Sequence, residues 1–257
     1  MPGKNKKSES NDFLIQGAIL AIAGILVRFI GLAYRVPLLR VIGADGMGYY
    51  SIAYNVYAII LLLSSYSLPL AVSKMVSVRI LKNEYKNANK ILKAALIYAT
   101  IVGGLGSIVA FFGADFFASI LYRMPLAKYA LQSLAPTIWI MAYLGVLRGY
   151  FQGHSTMVPT ALSQIFEQIV NAAVSVGAAY YLCEMAVRHA KPKAVKLAYG
   201  AAGGTIGTGA GTVIALVVVL IFFFLSAKDR RKKIKDDKSV RKESFSTITR
   251  ILILTVI

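Results

Sequence analysis

Six runs of apolar residues alternate with short polar segments along the chain, at about 13–38, 48–78, 94–114, 128–150, 158–182 and 198–226. A helical crossing of the bilayer's hydrocarbon core takes roughly 20 such residues. In lipid only a helix or a closed barrel satisfies every backbone polar group internally. The runs are continuous rather than alternating, so the pattern predicts an all-α membrane protein, a six-helix transmembrane bundle. A seventh apolar run starts near Ile248 and reaches only Ile257, too short to cross. Four segments follow: a polar tail over 1–12, a six-helix lobe over 13–226, a basic linker over 227–247, and the start of a seventh helix over 248–257. The arrangement reads as the front half of a larger transporter.

Composition strengthens the membrane reading. Of 257 residues, 57% are hydrophobic and only 16% charged. A soluble domain carries about 25% charged residues. The net charge of +18 would suit nucleic acid, but its location argues for a membrane. Lys and Arg concentrate between apolar runs: Lys4, Lys6 and Lys7; Arg79, Lys82, Lys86, Lys90 and Lys93; and Lys228, Arg230, Arg231, Lys232, Lys233, Lys235, Lys238, Arg241 and Lys242. Alternation of six helices puts these three groups on one side, the cytoplasmic side by the positive-inside rule. The connection over 183–197, with Arg188, Lys191, Lys193 and Lys196, runs against that rule. The expected location is the bacterial cytoplasmic membrane, with the N-terminus inside.

Several residues sit where polar groups are costly. Arg28 lies mid-way along the first run, where an Arg costs about 2.5–3.5 kcal/mol. Arg35 is seven residues on, two turns along the same face, with Gly17, Gly24 and Gly31 nearby. Together they predict a cationic wall for an anionic group such as phosphate; the alternative is that Arg35 snorkels and Arg28 pairs with a buried acid. Lys74 follows Pro69 in SLPLAVSK, a sequence that predicts a kink beside substrate or, equally, a lysine reaching the surface. The fifth run carries Gln164, Glu167, Gln168, Asn171 and Ser175 at helical spacing. That stripe lines a cavity or packs on a neighbour, and Glu167 is expected to serve as a counter-ion, a proton carrier or a coupling-cation ligand. Tyr54 and Asn55 are candidates for the cavity lining, with Tyr49 and Tyr50 in an interfacial belt.

Gly145, Gly149, Gly153 and Gly203, Gly207, Gly211 form two ladders that predict close helix packing. The run GGTIGTGAG lacks a following Gly-Lys-Ser/Thr and a preceding strand, which excludes a phosphate loop. The single cysteine, Cys183, allows no intrachain disulfide. His154 and His189 have no catalytic or metal-binding companions. No cofactor, metal site or enzyme activity is expected; a coupling ion, Na+ or H+, is left open.

Three runs carry a resemblance: RFIGLAYRVPLLRVIGADGMGYY from Arg28, SLPLAVSKMVSVR from Ser67, and LRGYFQGHSTMVPTALSQIFEQIV from Leu147. They resemble the multidrug/oligosaccharidyl-lipid/polysaccharide (MOP) exporter superfamily, and most of all its stage V sporulation protein B group of polysaccharide-biosynthesis membrane proteins, relatives of the lipid II flippases. The resemblance implies two similar lobes, about fourteen helices in all, around a central cavity. It implies alternating access for an undecaprenyl-pyrophosphate-linked glycan precursor of peptidoglycan, spore cortex or polysaccharide. Arg28 matches a basic cavity position of the lipid II branch through Arg-x-x-Gly, and Arg35 matches with a one-residue displacement. The partners implied are a lipid-linked precursor, membrane lipid and the missing C-terminal lobe, with no nucleic acid. The other readings are a cation-coupled exporter of drugs or small molecules, and a membrane scaffold.

Overall fold

The structure, a computed structural model, describes residues 5–237, 239 and 244–256, with side chains from Leu14 to Leu254. Lys4, Lys238, Arg241 and Lys242 lie outside the described residues. The described chain contains ten α-helices and six candidate membrane spans: Leu14–Ala33, Arg35–Leu81, Tyr85–Phe112, Pro125–Gly153, Val158–Arg188 and Lys193–Leu225.

Helix α1 (Asn5–Ala33) runs almost without interruption into α2 (Arg35–Ser64). Tyr34 stays in right-handed helical geometry, and i→i−4 hydrogen bonds flank it on both sides. The true reversal is at Gly43, whose φ of 66° and ψ of −178° favour a residue without a Cβ. In an unbroken helix Tyr34 and Tyr50 would stand about 24 Å apart along the axis. Their hydroxyls are 3.0 Å apart, so the chain folds back between them.

The kink expected near Pro69 is a full break. α2 ends at Ser64 and α3 (Leu68–Leu81) begins with Pro69 in its first turn, where a missing N–H costs no helical bond. The third span is α4 (Tyr85–Tyr98), a π-helical turn over Ala99–Gly103, and α5 (Gly104–Phe112). Then come α6 (Lys128–Gly153), α7 (Val158–Arg188) and α8 (Lys193–Leu225). The helices overrun the apolar runs: α1 starts at Asn5, α4 nine residues before 94, and α7 continues to Arg188. Hydropathy marks only the part of a helix that lies in lipid, whereas its hydrogen bonding continues into water. The basic segment after Leu225 likewise forms a helix, α9 (Ala227–Asp236), and α10 (Phe245–Val256) begins before Ile248.

The glycine ladders bring helices into backbone contact. A Cβ on Gly203 would fall 2.5 Å from the backbone of Ala178, and one on Gly211 would fall 2.5 Å from the carbonyl of Glu167. These glycines seat α8 along α7. On α6, Gly145 and Gly149 meet Pro69, and a Cβ on Gly153 would fall 2.7 Å from that of Val76, which seats α3. One apolar core lies where α3, α4, α6, the end of α8 and α10 meet, with Ile248 and Leu252 enclosed. A second joins α2, α6, α7 and α8 around Leu38, Ile42, Leu134 and Ile138.

The basic connections gather at one end. Gln16 accepts a hydrogen bond from the amide of Met157 at 2.8 Å. Lys86 donates from its amide to the carboxylate of Asp237, and from Nζ to that residue's carbonyl, both at 2.7 Å. Lys233 lies over the ring of Tyr85. At the opposite end Gly46 meets Leu197, Gly48 meets Met124, and Lys128 pairs with Asp115. The exceptional basic connection after α7 is therefore at the end away from the other basic segments.

Candidate substrate site

A polar seam runs through the bundle, built from the inward face of α7. Arg148 of α6 donates from Nη2 to Oε2 of Glu167 at 2.8 Å, and from Nε to Oγ of Ser163 at 2.9 Å. The paired side chains are only 11% and 19% exposed. One turn further along α7, the Asn171 carbonyl oxygen accepts from Ser175 at 2.9 Å and from Thr208 of α8 at 3.3 Å. Ser175 and Asn171 are buried. The Thr208 hydroxyl also meets that of Tyr54, which stacks 4.6 Å from Tyr50. Tyr50 in turn bonds Tyr34 at the α1–α2 junction, so the seam links α2, α6, α7 and α8.

At the seam's basic end opens a hollow of about 210 Å³ between α2, α3, α6 and α7. Arg148, Gln152, Gln164 and Ser65 contribute its polar wall; Pro69 and Leu144 are among its apolar residues. The Thr160 hydroxyl also lines it, and is buried without a hydrogen-bond partner. Sites for small molecules start at about 300 Å³, so this hollow fits water or one phosphate-sized group, not a sugar.

The predicted residues therefore divide. Gln164, Glu167, Asn171 and Tyr54 meet in the seam and its hollow. Arg28, Arg35, Lys74 and Asn55 are exposed, and of these Arg35 lies within electrostatic reach of Tyr54 in the seam. Glu167 is ion-paired with Arg148 rather than with Arg28. The pairing follows from the hairpin: α6 and α7 are joined by the short turn around His154–Met157, and reflection about that turn brings 148 opposite 163. A guanidinium then reaches one helical turn further, to 167. Periodicity within one helix does not reveal this; the reflection would have.

Arg28 has no ion-pair or hydrogen-bond partner among the described residues. Ala23 is buried on the side of α1 that packs against α7, and Arg28 points to a different flank. That flank carries Gly17 and Gly24, which have nothing within 4 Å of a notional Cβ. Gly31 lies below it, with the Gln168 amide against it. Phe29 and Leu26 hold the opposite, apolar flank and are exposed. The rod is continuous through Arg35, so both arginines project from one helix.

The fold is a multi-pass helical membrane bundle with a polar interior and, among the described residues, an Arg28 without an ion-pair partner on its outer helix. The profile of the family described as polysaccharide biosynthesis protein matches residues 14–256, and the chain belongs to that family. Among curated proteins of Bacillus subtilis (strain 168), it is 30% identical over 219 residues to the uncharacterized membrane protein YabM, covering 84% of this chain and 38% of that protein. It is 32% identical over 158 residues to stage V sporulation protein B, covering 62% and 30%. It is 30% identical over 166 residues to the lipid II flippase MurJ, covering 61% and 30%. The chain thus spans about a third of the length of these relatives. The solved structure of a MOP superfamily transporter from Pyrococcus furiosus matches with a TM-score of 0.68 at 15% identity, over 93% of this chain and 51% of that one. This likeness concerns the fold.

Proposed function

We propose that this chain is the N-lobe of a flippase that moves an undecaprenyl-pyrophosphate-linked glycan precursor across the cytoplasmic membrane by alternating access. Arg28 carries the reading. A permanent charge on an otherwise apolar, exposed helix is unfavourable by about 2.5–3.5 kcal/mol unless water or an anion faces it. Among the described residues nothing in the lobe pairs with it. A pyrophosphate is a fitting partner, because the guanidinium's planar donors match phosphate oxygens two at a time. Arg35 would extend the grip, and the glycine flank leaves room for a headgroup to approach. Kinship with the lipid II flippase and with stage V sporulation protein B supports the substrate class.

In this reading residues 13–226 are the lobe, 227–247 the linker to a second lobe, and 248 onward the start of the next element. The basic end faces the cytoplasm, with the N-terminus inside. Outward passage of an anion against an inside-negative potential is opposed by about 2.3 kcal/mol per charge per 100 mV, so the cycle draws on a coupling ion. The rival reading, a cation-coupled drug exporter, needs an available acid. Glu167 is already neutralised by Arg148 at 2.8 Å, which disfavours it.

The test is complementation. The full-length protein should rescue cells depleted of their lipid II flippase, and Arg28→Ala should abolish rescue at unchanged membrane abundance, with Arg28→Lys keeping part of it. Failure to rescue together with lowered drug accumulation would transfer the protein to the multidrug class.

A further inference from the structure

A second and larger hollow, about 380 Å³, opens at the basic end between the ends of α3, α6 and α8, bounded by α9 where it packs on α4 and α8. Its inner wall is apolar and aromatic, formed by Tyr150, Phe222 and Leu225 among others. Its rim carries Arg230 and Lys233, three residues apart and so on one face of α9. Neither has an ion-pair partner among the described residues. Asp229 is the one acid in the lining.

Arg230 is held in place without being satisfied. Its Nη1 donates to the Phe223 carbonyl at 3.1 Å and to Ser226 at 3.4 Å, and the guanidinium stacks 3.6 Å from the Phe223 ring. A guanidinium has five N–H donors, so those on Nε and Nη2 are left for a ligand. Lys233 sits 5.7 Å from the Tyr85 ring centroid. The site thus offers two positioned cations at the water side and a greasy wall on the membrane side.

We propose that this hollow binds an acidic phospholipid of the surrounding bilayer, its phosphate between Arg230 and Lys233 and its upper acyl chain along Tyr150 and Phe222. Basic pockets between membrane helices on the cytoplasmic side select anionic headgroups in this way. A soluble phosphate compound would use the cations but leave the apolar wall wet; a zwitterionic lipid would use the wall but add no net charge. Occupancy would fasten the basic helix α9 to the lobe. The assignment is independent of what the protein transports.

Native mass spectrometry of the purified protein, titrated with dioleoyl phosphatidylglycerol, dioleoyl phosphatidylcholine and glycerol 1-phosphate, tests it. Phosphatidylglycerol should bind most tightly. At about fivefold per charge near the membrane surface, Arg230→Gln with Lys233→Gln should weaken it about thirtyfold and leave phosphatidylcholine unchanged. Asp229→Asn should tighten phosphatidylglycerol binding about fivefold, a gain that misfolding cannot imitate. Lys191→Gln with Lys193→Gln, at the opposite end, should change nothing. Equal binding of the two lipids, an equal loss in the opposite-end variant, or no gain from Asp229→Asn would overturn the proposal. Glycerol 1-phosphate binding as tightly as the phospholipid would also overturn it, giving the hollow to a soluble ligand.

Discussion

Replacing Glu167 with Ala should be among the most damaging single changes to the bundle's polar interior, and its size can be worked from the structure. The change removes the carboxylate that Arg148 meets at 2.8 Å and leaves Ser163 as its remaining partner among the described residues. Deleting one member of a fully buried ion pair costs about 3–5 kcal/mol. Two features reduce that. The pair is 11% and 19% exposed and borders a hollow that admits water. In membranes the unfolded reference also finds partners, so interhelical hydrogen bonds average about 0.6 and reach about 1.7 kcal/mol. A loss of about 2 kcal/mol follows, roughly 4–8 °C in melting temperature for a chain of this size. Glu167→Gln keeps an acceptor and should lose about half as much. Arg148→Met with Glu167→Leu removes both charges and should recover most of the loss, because apolar replacement of a buried pair is often neutral. The exposed pair Glu184–Arg188, at 2.7 Å and i,i+4, is the control; water screens it, so its removal should leave the melting temperature nearly unchanged. Thermal unfolding of the detergent-solubilised variants, arranged as a double-mutant cycle, measures all of these. If Glu167→Ala and Glu184→Ala shift the midpoint equally, or the double replacement is no better than the single one, the seam does not depend on this pair.

Three further outcomes are expected. Gly211→Ala places a Cβ 2.5 Å from the Glu167 carbonyl and should destabilise by about 1–3 kcal/mol or more, whereas Gly24→Ala meets nothing and should stabilise α1 by up to about 1 kcal/mol; melting curves compare them. Arg28→Leu should leave thermal stability unchanged or raise it while transport by the full-length protein is lost; a clear drop in melting temperature would mean that Arg28 is a structural residue. His154 is held below its ordinary pKa of 6.5 by burial, aided by Lys233 and Arg230 and opposed by its hydrogen bond to the Tyr150 carbonyl. The unfolded chain therefore takes up the proton more readily than the folded one, so stability should fall as pH drops through 6.5, and His154→Asn should flatten that part of the stability–pH curve.

Local sequence and tertiary structure answered different questions about this protein. The six spans, the all-helical class and the gathering of basic connections at one end were legible because lipid imposes a one-dimensional rule: apolar length sets the crossing, and charge marks its ends. The α7 stripe of Gln164, Glu167 and Asn171 was legible for the same reason, since helical periodicity is a property of one segment. What the stripe meets was not. That Glu167 takes Arg148, that Thr208 joins Asn171 to Tyr54, and that Gly43 rather than the Tyr34 junction turns the chain all depend on how separate helices lean together. Helices in lipid have no hydrophobic drive toward one another, so fit decides: glycine ladders set how closely the backbones approach, and the spaces left over become the two hollows. Arg28 shows the division most sharply. Its expense was readable from its place in an apolar run, but its lack of a partner became visible only once every neighbouring helix had been put in position.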